Sequence, residues 1–494
     1  MYVQKANLFL LVLWDCDSLE EWILFQKLRL TKGSTYYELL QHEIVGARIS
    51  MYLFNITNAE SFLAGDDSKI RLEEVGPFVF QEYRWYEDLE ISEDGKQMAM
   101  TPKTRTEFIS QRSIAHPKDV NLTLLNLPML IVYPIHQGAT NLLSEYPSFL
   151  QHVYNMMADQ LHSKPIFNID VHTYLWGYDN PLIKIVHNIA PGVVYFKKIG
   201  LLDRLYDTES DYRIVAGATD EDRFRIKYVK KTRRLEVDST EDVDESELTF
   251  ATDTYEGIGY PPMLTPDIPL NLYRIGICKS FQLEYIGRKP MEYGGEGLRY
   301  TLSNENFKSD VNSSKPYPEG LMDISNCFYG VPFMISKGHF LDADPKLLEG
   351  IEGLKPDRNI NANEVVIDHM VSVPFQTNFS IQLNIALDDV SYNRHTKRLS
   401  NTVLPITHIK IDQPEMPETI MNKFYLAFKL GPKLELGTFV VLTLTSLMLI
   451  SHAGRVIYYN WTKNTRGMDF EINVNKKLLE TKTIEGNSLK VDPY

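Results

Sequence analysis

Asp170 and His172, two residues apart, are the kind of acid and imidazole from which proton-transfer catalysis is built. Such a pair needs a nucleophile to activate, and none is identifiable in the surrounding residues. The chain has no GxSxG elbow, no HExxH, no Walker phosphate loop and no GxGxxG after a strand. GGEG at 294–297 lacks the Lys-Ser/Thr of a phosphate cradle and reads as a flexible turn. His136, His152, His162 and His172 show no metal-ligand spacing, and Cys16, Cys278 and Cys327 form no CxxC pair. EVDSTEDVDESE at 236–247 holds seven acids in twelve residues but lacks the spacing and glycine of a calcium-binding EF-hand loop, so it reads as a solvated loop. These residues describe a protein that is not an enzyme and assign no catalytic residue, cofactor or metal. A net charge of −14 also argues against nucleic acid, whose phosphates need a basic surface.

The elements that would carry another function are mostly strands. With 494 residues, 44% of them hydrophobic and 23% charged, the chain can bury a large core. Stretches 49–57, 71–83, 211–216, 223–230, 364–371 and 379–387 interleave β-branched and aromatic residues with polar ones, the pattern of half-buried strands. One segment differs. Within 141–167, Leu143, Tyr146, Leu150, Val153, Tyr154, Met157 and Leu161 follow the spacing of a helix face, with Pro147 in the first turn, where it is tolerated. The spacing predicts a helical insertion in a β-rich body.

Residues 436–457 carry no charge until Arg455; at about 1.5 Å per residue they reach roughly 33 Å, enough to cross a bilayer core. Lys433 and Glu435 mark one border, and Arg455, Tyr458, Tyr459 and Trp461 the other. The balance of Lys and Arg leans toward a cytoplasmic C-terminus. Glycosylation triplets at Asn55, Asn121, Asn312 and Asn378 all lie upstream, on the side that this orientation exports. Near the start, the apolar run 6–13 would cover only about 12 Å before Asp15 and Asp17, too short to span alone.

Six stretches in series resemble the class B scavenger receptors: YLFNITN (52–58), LEEVGPF (72–78), LWGYDNP (175–181), GLMDISNC (320–327), PFMIS (332–336) and HFLDADP (339–345). That family includes the fatty-acid translocase, the high-density-lipoprotein receptor, the lysosomal integral membrane protein and the insect sensory neuron membrane proteins. The resemblance implies an α+β fold: a large antiparallel β-barrel-like ectodomain with an internal apolar tunnel and a helical cap, plus a C-terminal transmembrane helix. It implies both termini in the cytoplasm and the ectodomain outside or in a lumen. The expected organisation is a remnant of the first span with a membrane-proximal stretch (1–29), an ectodomain (30–433) with its cap at about 141–190, a transmembrane helix (434–459) and a cytoplasmic tail (460–494). Because 22–30 matches the segment just outside a complete first span, 8–14 reads as that span's remnant and the sequence as N-terminally incomplete or alternatively started.

The resemblance also implies site residues. Lys164 falls where the family places a lysine that meets anionic ligands, although on residues alone it reads equally as a solvated lysine at a helix end. Leu150, Met157 and Phe167 accompany it as expected cap contacts. Cys278 and Cys327 match a family disulfide, Cys16 is left over, and the sparse cysteines favour an invertebrate member. The implied function is a membrane receptor that binds fatty acids, sterols, carotenoids or lipoprotein lipid at the cap and passes them through the tunnel to the membrane. A chemosensory co-receptor for lipid-like odorants, and a lysosomal or vesicular sorting receptor with a protein ligand at the cap, are the alternatives. Leu478-Leu479 resembles a sorting signal, but Val474 stands where its acid belongs. The plasma membrane is the expected location, with endolysosomes the alternative.

Overall fold

A computed structural model describes residues 29–485, apart from 131–146, 190–197, 207–209, 234–243, 251–252, 310–316, 329–330, 392–393, 415 and 417. The N-terminal run and its expected remnant span lie outside the described residues. The chain divides into two units, Met1–Asn422 and Lys423–Tyr494.

The first unit is built on a 16-stranded sheet. Its strands are β1 (Ile44–Ile56), β2 (Ile70–Ile91), β3 (Gln97–Phe108), β4 (Ser210–Gly217), β5 (Ile226–Arg233), β6 (Asp244–Thr249), β7 (Thr254–Tyr255) and β8 (Leu270–Arg274). There follow β9 (Lys279–Pro290), β10 (Glu296–Leu302), β11 (Met322–Asp323), β12 (Phe333–Lys337), β13 (Ile351–Glu352), β14 (Glu364–Asp368), β15 (Pro374–Leu387) and β16 (Thr402–Asp412). The ladder runs β6-β5-β4-β3-β2-β1-β16-β15-β14-β10-β9-β8-β7, with β12 joining β11 to β15 and β13 lying beside β2. Among the described residues, only β7–β8 and β13–β2 pair as parallel strands. No continuous ladder closes the sheet among the described residues, but one isolated bridge, Arg225 to Tyr255, links the start of β5 to β7 near the opposite edge.

The strands predicted from alternation are here, because residues such as Met51 and Leu53 on β1 alternate into a core that excludes water. The acidic stretch departs from its expected loop. Its last residues enter β6, where Asp244 faces Arg233 and Glu247 faces Lys230 across the ladder to β5.

Between β3 and β4 lies a group of helices. The predicted helix is α1 (Pro147–Gln160), with Pro147 as its first residue; α2 (Val171–Trp176), α3 (Pro181–Ile189) and α4 (Leu201–Tyr206) follow. Strand Ile166–Asp170 returns from α1 to pair with Asn121–Leu125. Asp170 ends it as the N-cap of α2, accepting a hydrogen bond from Thr173 N–H at 2.9 Å. The carboxylate is thus engaged in helix capping, and it forms no acid–base pair with His172.

The second unit is dominated by α5 (Gly431–Glu485), 55 residues that would extend about 82 Å, far beyond a bilayer core of roughly 30 Å. Its apolar part is long enough to cross a membrane and is not buried against protein, Leu442 and Ile450 being 66% and 68% exposed. Past Trp461 the same helix continues to Glu485, through residues expected as part of the tail.

Cys278 and Cys327 are bonded, with Cα atoms 5.8 Å apart across a separation of 49 residues. Beside them Gly276 meets α4 so closely that a Cβ would sit 1.8 Å from the Leu205 carbonyl oxygen. Replacing both cysteines by serine is expected to lower unfolding stability by about 4 kcal/mol in the chain-entropy model, read as a lower urea midpoint. An unchanged midpoint would mean that packing at Gly276 alone holds this corner.

Candidate functional site

The sheet encloses an apolar cavity on one face and a polar layer on the other. Both arise from alternation along β15, SIQLN at 380–384, where successive side chains point to opposite faces. Ile381 and Leu383 line the cavity, together with Met51 of β1, Phe333 and Ile335 of β12, and Ile409 and Ile411 of β16. The helical side adds Leu127, Ile199, Leu201 and Leu205, and the disulfide corner adds Ile277 and Phe328, each beside a bonded cysteine. The empty volume is about 710 Å³, part of it open to solvent. The two polar lining residues have partners elsewhere: Thr407 Oγ1 donates to the Tyr52 carbonyl at 2.8 Å, and Gln382 accepts from His339 N–H at 2.9 Å. The cavity is therefore dry in character and suited to a hydrocarbon.

Of the residues expected at the cap, the side chains of three are described. Met157 and Phe167 are half-buried and pack against the core, Phe167 against Tyr178 with ring centroids 5.6 Å apart. Lys164 is exposed, and its carbonyl accepts from Asn126 Nδ2 at 2.8 Å. Leu150 belongs to α1, but its side chain lies outside what is described. None of the three described side chains is among the residues lining the cavity. Asn121 and Asn378 are exposed; Asn55 is half-buried, its Oδ1 accepting from Thr123 N–H at 2.9 Å. Asn312 lies outside the described residues.

The opposite face of β15 presents Ser380, Gln382 and Asn384, all fully buried. The segment 338–363, which joins β12 to β14, covers them. It contributes Asn361 and Asn363, the latter accepting from Ser380 N–H at 2.6 Å, and Gly338, where a Cβ would meet Ser380 Oγ at 2.4 Å. Within this layer Glu74 of β2 receives His408 Nδ1 of β16 at 2.6 Å and His339 Nε2 at 3.1 Å, while Ser380 Oγ lies 2.7 Å from His408 Nε2.

Ser380, His408 and Glu74 have the connectivity of a hydrolase triad. Ser380 is fully buried with Gly338 over it, so no substrate carbonyl reaches Oγ and the arrangement is structural. Glu74, His339 and His408 bring three metal-capable atoms within 4.8 Å of one another. Lys355 N–H donates to His339 Nδ1 at 3.3 Å, which leaves the ring proton on Nε2, the atom a metal would need. Sequence reasoning passed over His408 altogether; Glu74 and His339 stood in matched motifs that carried no role for them.

Burial would raise the Glu74 carboxyl, but hydrogen bonds from both imidazoles outweigh it and hold the value near about 2. Burial lowers His408, and Glu74 only partly opposes this. Both folded values are depressed, so both contributions are present at neutral pH and are lost on acidification, that of His408 below 6.5 and that of Glu74 below 4.5. Stability is expected to fall as the pH drops from about 7.5 to 5, through the His408 contribution, measured as a thermal midpoint. A flat profile would show that the buried layer titrates alike in both states.

An apolar cavity in a large antiparallel sheet, on a chain with one bilayer-length apolar helix among the described residues, fits a membrane protein. The chain belongs to the CD36 family, whose model matches residues 5–457. It is similar to scavenger receptor class B member 1 of Bos taurus, with 23% identity over 86% of this chain and 82% of the relative. It is also similar to lysosome membrane protein 2 of Rattus norvegicus, with 23% identity over 77% of each, and of Homo sapiens, with 23% over 78% of each.

Proposed function

We propose that this protein is a membrane receptor that takes hydrophobic ligands, fatty acids, sterols, carotenoids or lipoprotein lipid, into the apolar cavity and passes them toward the bilayer. The observation that carries this reading is the cavity, whose lining is aliphatic and aromatic and whose two polar side chains are engaged elsewhere. An acyl chain leaving water gains about 0.8 kcal/mol per buried methylene, so ten methylenes gain on the order of 8 kcal/mol. Moving on into the bilayer costs little, because both environments are apolar. A cavity of this kind speeds passage without having to drive it.

The bridge between Arg225 and Tyr255 supports a sheet curling toward a barrel, in which the cavity is one stretch of a longer tunnel. The domain reading remains an ectodomain (30–433) with a cap at about 141–190, a span at 434–459 and a tail at 460–494. The ectodomain faces the exterior or a lumen, with glycans on Asn121 and Asn378. Exposed Met156 and Leu161, near Met157 and Lys164, give the cap an apolar and cationic face for first capture of a lipid with an anionic head.

Ile409→Trp or Ile381→Trp, which fill the cavity from adjacent strands, should reduce cellular uptake of a fluorescent fatty acid severalfold at unchanged surface expression. Normal uptake by well-expressed variants would contradict passage through the cavity.

A further inference from the structure

The face of the sheet that carries the cavity is not apolar throughout. Along β2 this face runs Phe78, Phe80, Glu82, Arg84, Tyr86, because alternate residues share a face and Phe78 pairs with Met51 of the cavity wall. The hydrocarbon surface thus gives way to a charged group. Arg84 Nε donates to Glu82 Oε1, and Arg84 Nη1 lies 3.6 Å from Glu256 Oε1. Tyr206, at the end of α4, donates to Glu82 Oε2 at 3.2 Å, and Tyr86 donates to Glu256 Oε2 at 2.9 Å. Both buried carboxylates are therefore committed, to Arg84 and to two phenols.

Arg274, the last residue of β8, is left without a counter-ion. It alternates with Leu270 and Leu272 on the face where their ladder partners Leu283 and Phe281 are buried, and it is itself half-buried. Among the described residues its guanidinium has no ion-pair or side-chain hydrogen-bond partner. Directly across the ladder stands Lys279, a second cation where an opposite charge would have stabilised the pair. Burial lowers the Arg274 guanidinium from its usual range, Arg84 adds to this, and Glu82 and Glu256 oppose it. An arginine stays charged even so, which leaves N–H donors unmet in a poorly solvated place. The turn that follows joins these donors to the cavity. Ile277 ends that turn and lines the cavity, while Gly276 within it packs on the carbonyl of Leu205, another lining residue and the neighbour of Tyr206. Apolar wall and unmet cation meet at this corner.

We propose that Arg274 receives the carboxylate of a long-chain fatty acid whose hydrocarbon lies in the cavity. The inference rests on the lipid-receptor reading and deepens it, by naming the head group that the interior selects. The planar guanidinium fork matches a carboxylate with two parallel N–H···O bonds, which a neutral ester cannot reproduce. A larger or more highly charged head would press against Glu82 and Glu256. The cavity sorts ligands by hydrocarbon alone, and Arg274 adds a choice of head.

Competition against a photoactivatable fatty acid bound to the full chain in nanodiscs tests this, with unlabelled palmitic acid and its methyl ester as competitors. The acid should compete about tenfold better than the ester, and Arg274→Gln should bring the acid down to the ester. Equal competition by the two in the unsubstituted chain overturns the assignment and leaves the receptor reading standing. Competition by neither overturns the receptor reading and the assignment with it. A difference undiminished in Arg274→Gln also overturns the assignment. A second measurement needs no variant and so does not depend on how one folds: a fatty acid with its diazirine beside the carboxyl should label 201–206 and 272–279. Labelling that spares both segments, such as labelling confined to 147–167 at the cap, overturns the proposal.

Discussion

A strand in the middle of this sheet must satisfy two incompatible neighbours, and the rest of the molecule follows from how β15 does so. Its odd positions, Ile381 and Leu383, face hydrocarbon; its even positions, Ser380, Gln382 and Asn384, carry polar groups that are costly to bury unpaired. The polar side chains therefore need a lid of matching polarity. The segment 338–363 supplies it through Gly338, His339, Asn361 and Asn363, and β16 continues both faces with Ile409 inward and His408 outward. A one-residue slip of β15 would put Ser, Gln and Asn into the cavity, so the same pairs that hold the cover also hold the register.

The walls of the cavity are held from outside. The disulfide fixes Ile277 and Phe328 at one corner, Gly276 lets α4 approach without a side chain in the way, and the covering segment braces β12 and β15 from behind. None of these supports needs to touch a ligand. A wall that is rigid at its back and apolar at its front can host chains of differing shape, which suits a receptor whose ligands share only hydrophobicity.

Much of the frame was legible in the sequence. Alternation marked β1, β2, β4, β14 and β15, apolar spacing marked α1, and an uninterrupted run marked the span in α5. The Cys278–Cys327 bond was read only from resemblance, since three cysteines alone allow several pairings. The polar layer was illegible for a physical reason. Ser, Gln and Asn at alternate positions look like the wet face of a half-exposed strand, and nothing local reveals that a segment some 20 to 40 residues upstream covers them. Likewise 244–247 looked like a solvated acidic loop until Lys230 and Arg233 lay opposite. The cap contacts were placed by analogy, and none of the three whose side chains are described lines the cavity, whose lining comes from strands, from Leu127, Leu201 and Leu205, and from the disulfide corner.

The central claim is that lipid occupies the space between β1, β12, β15 and β16. A photoactivatable fatty acid carrying a diazirine near its tail, bound to the full chain in nanodiscs, irradiated and mapped by peptide mass spectrometry, tests this most directly. The account predicts adducts on Phe333, Ile335, Ile381 and Ile409, competed away by excess unlabelled fatty acid. Adducts confined to the apolar face of α5, or insensitive to competition, would contradict it.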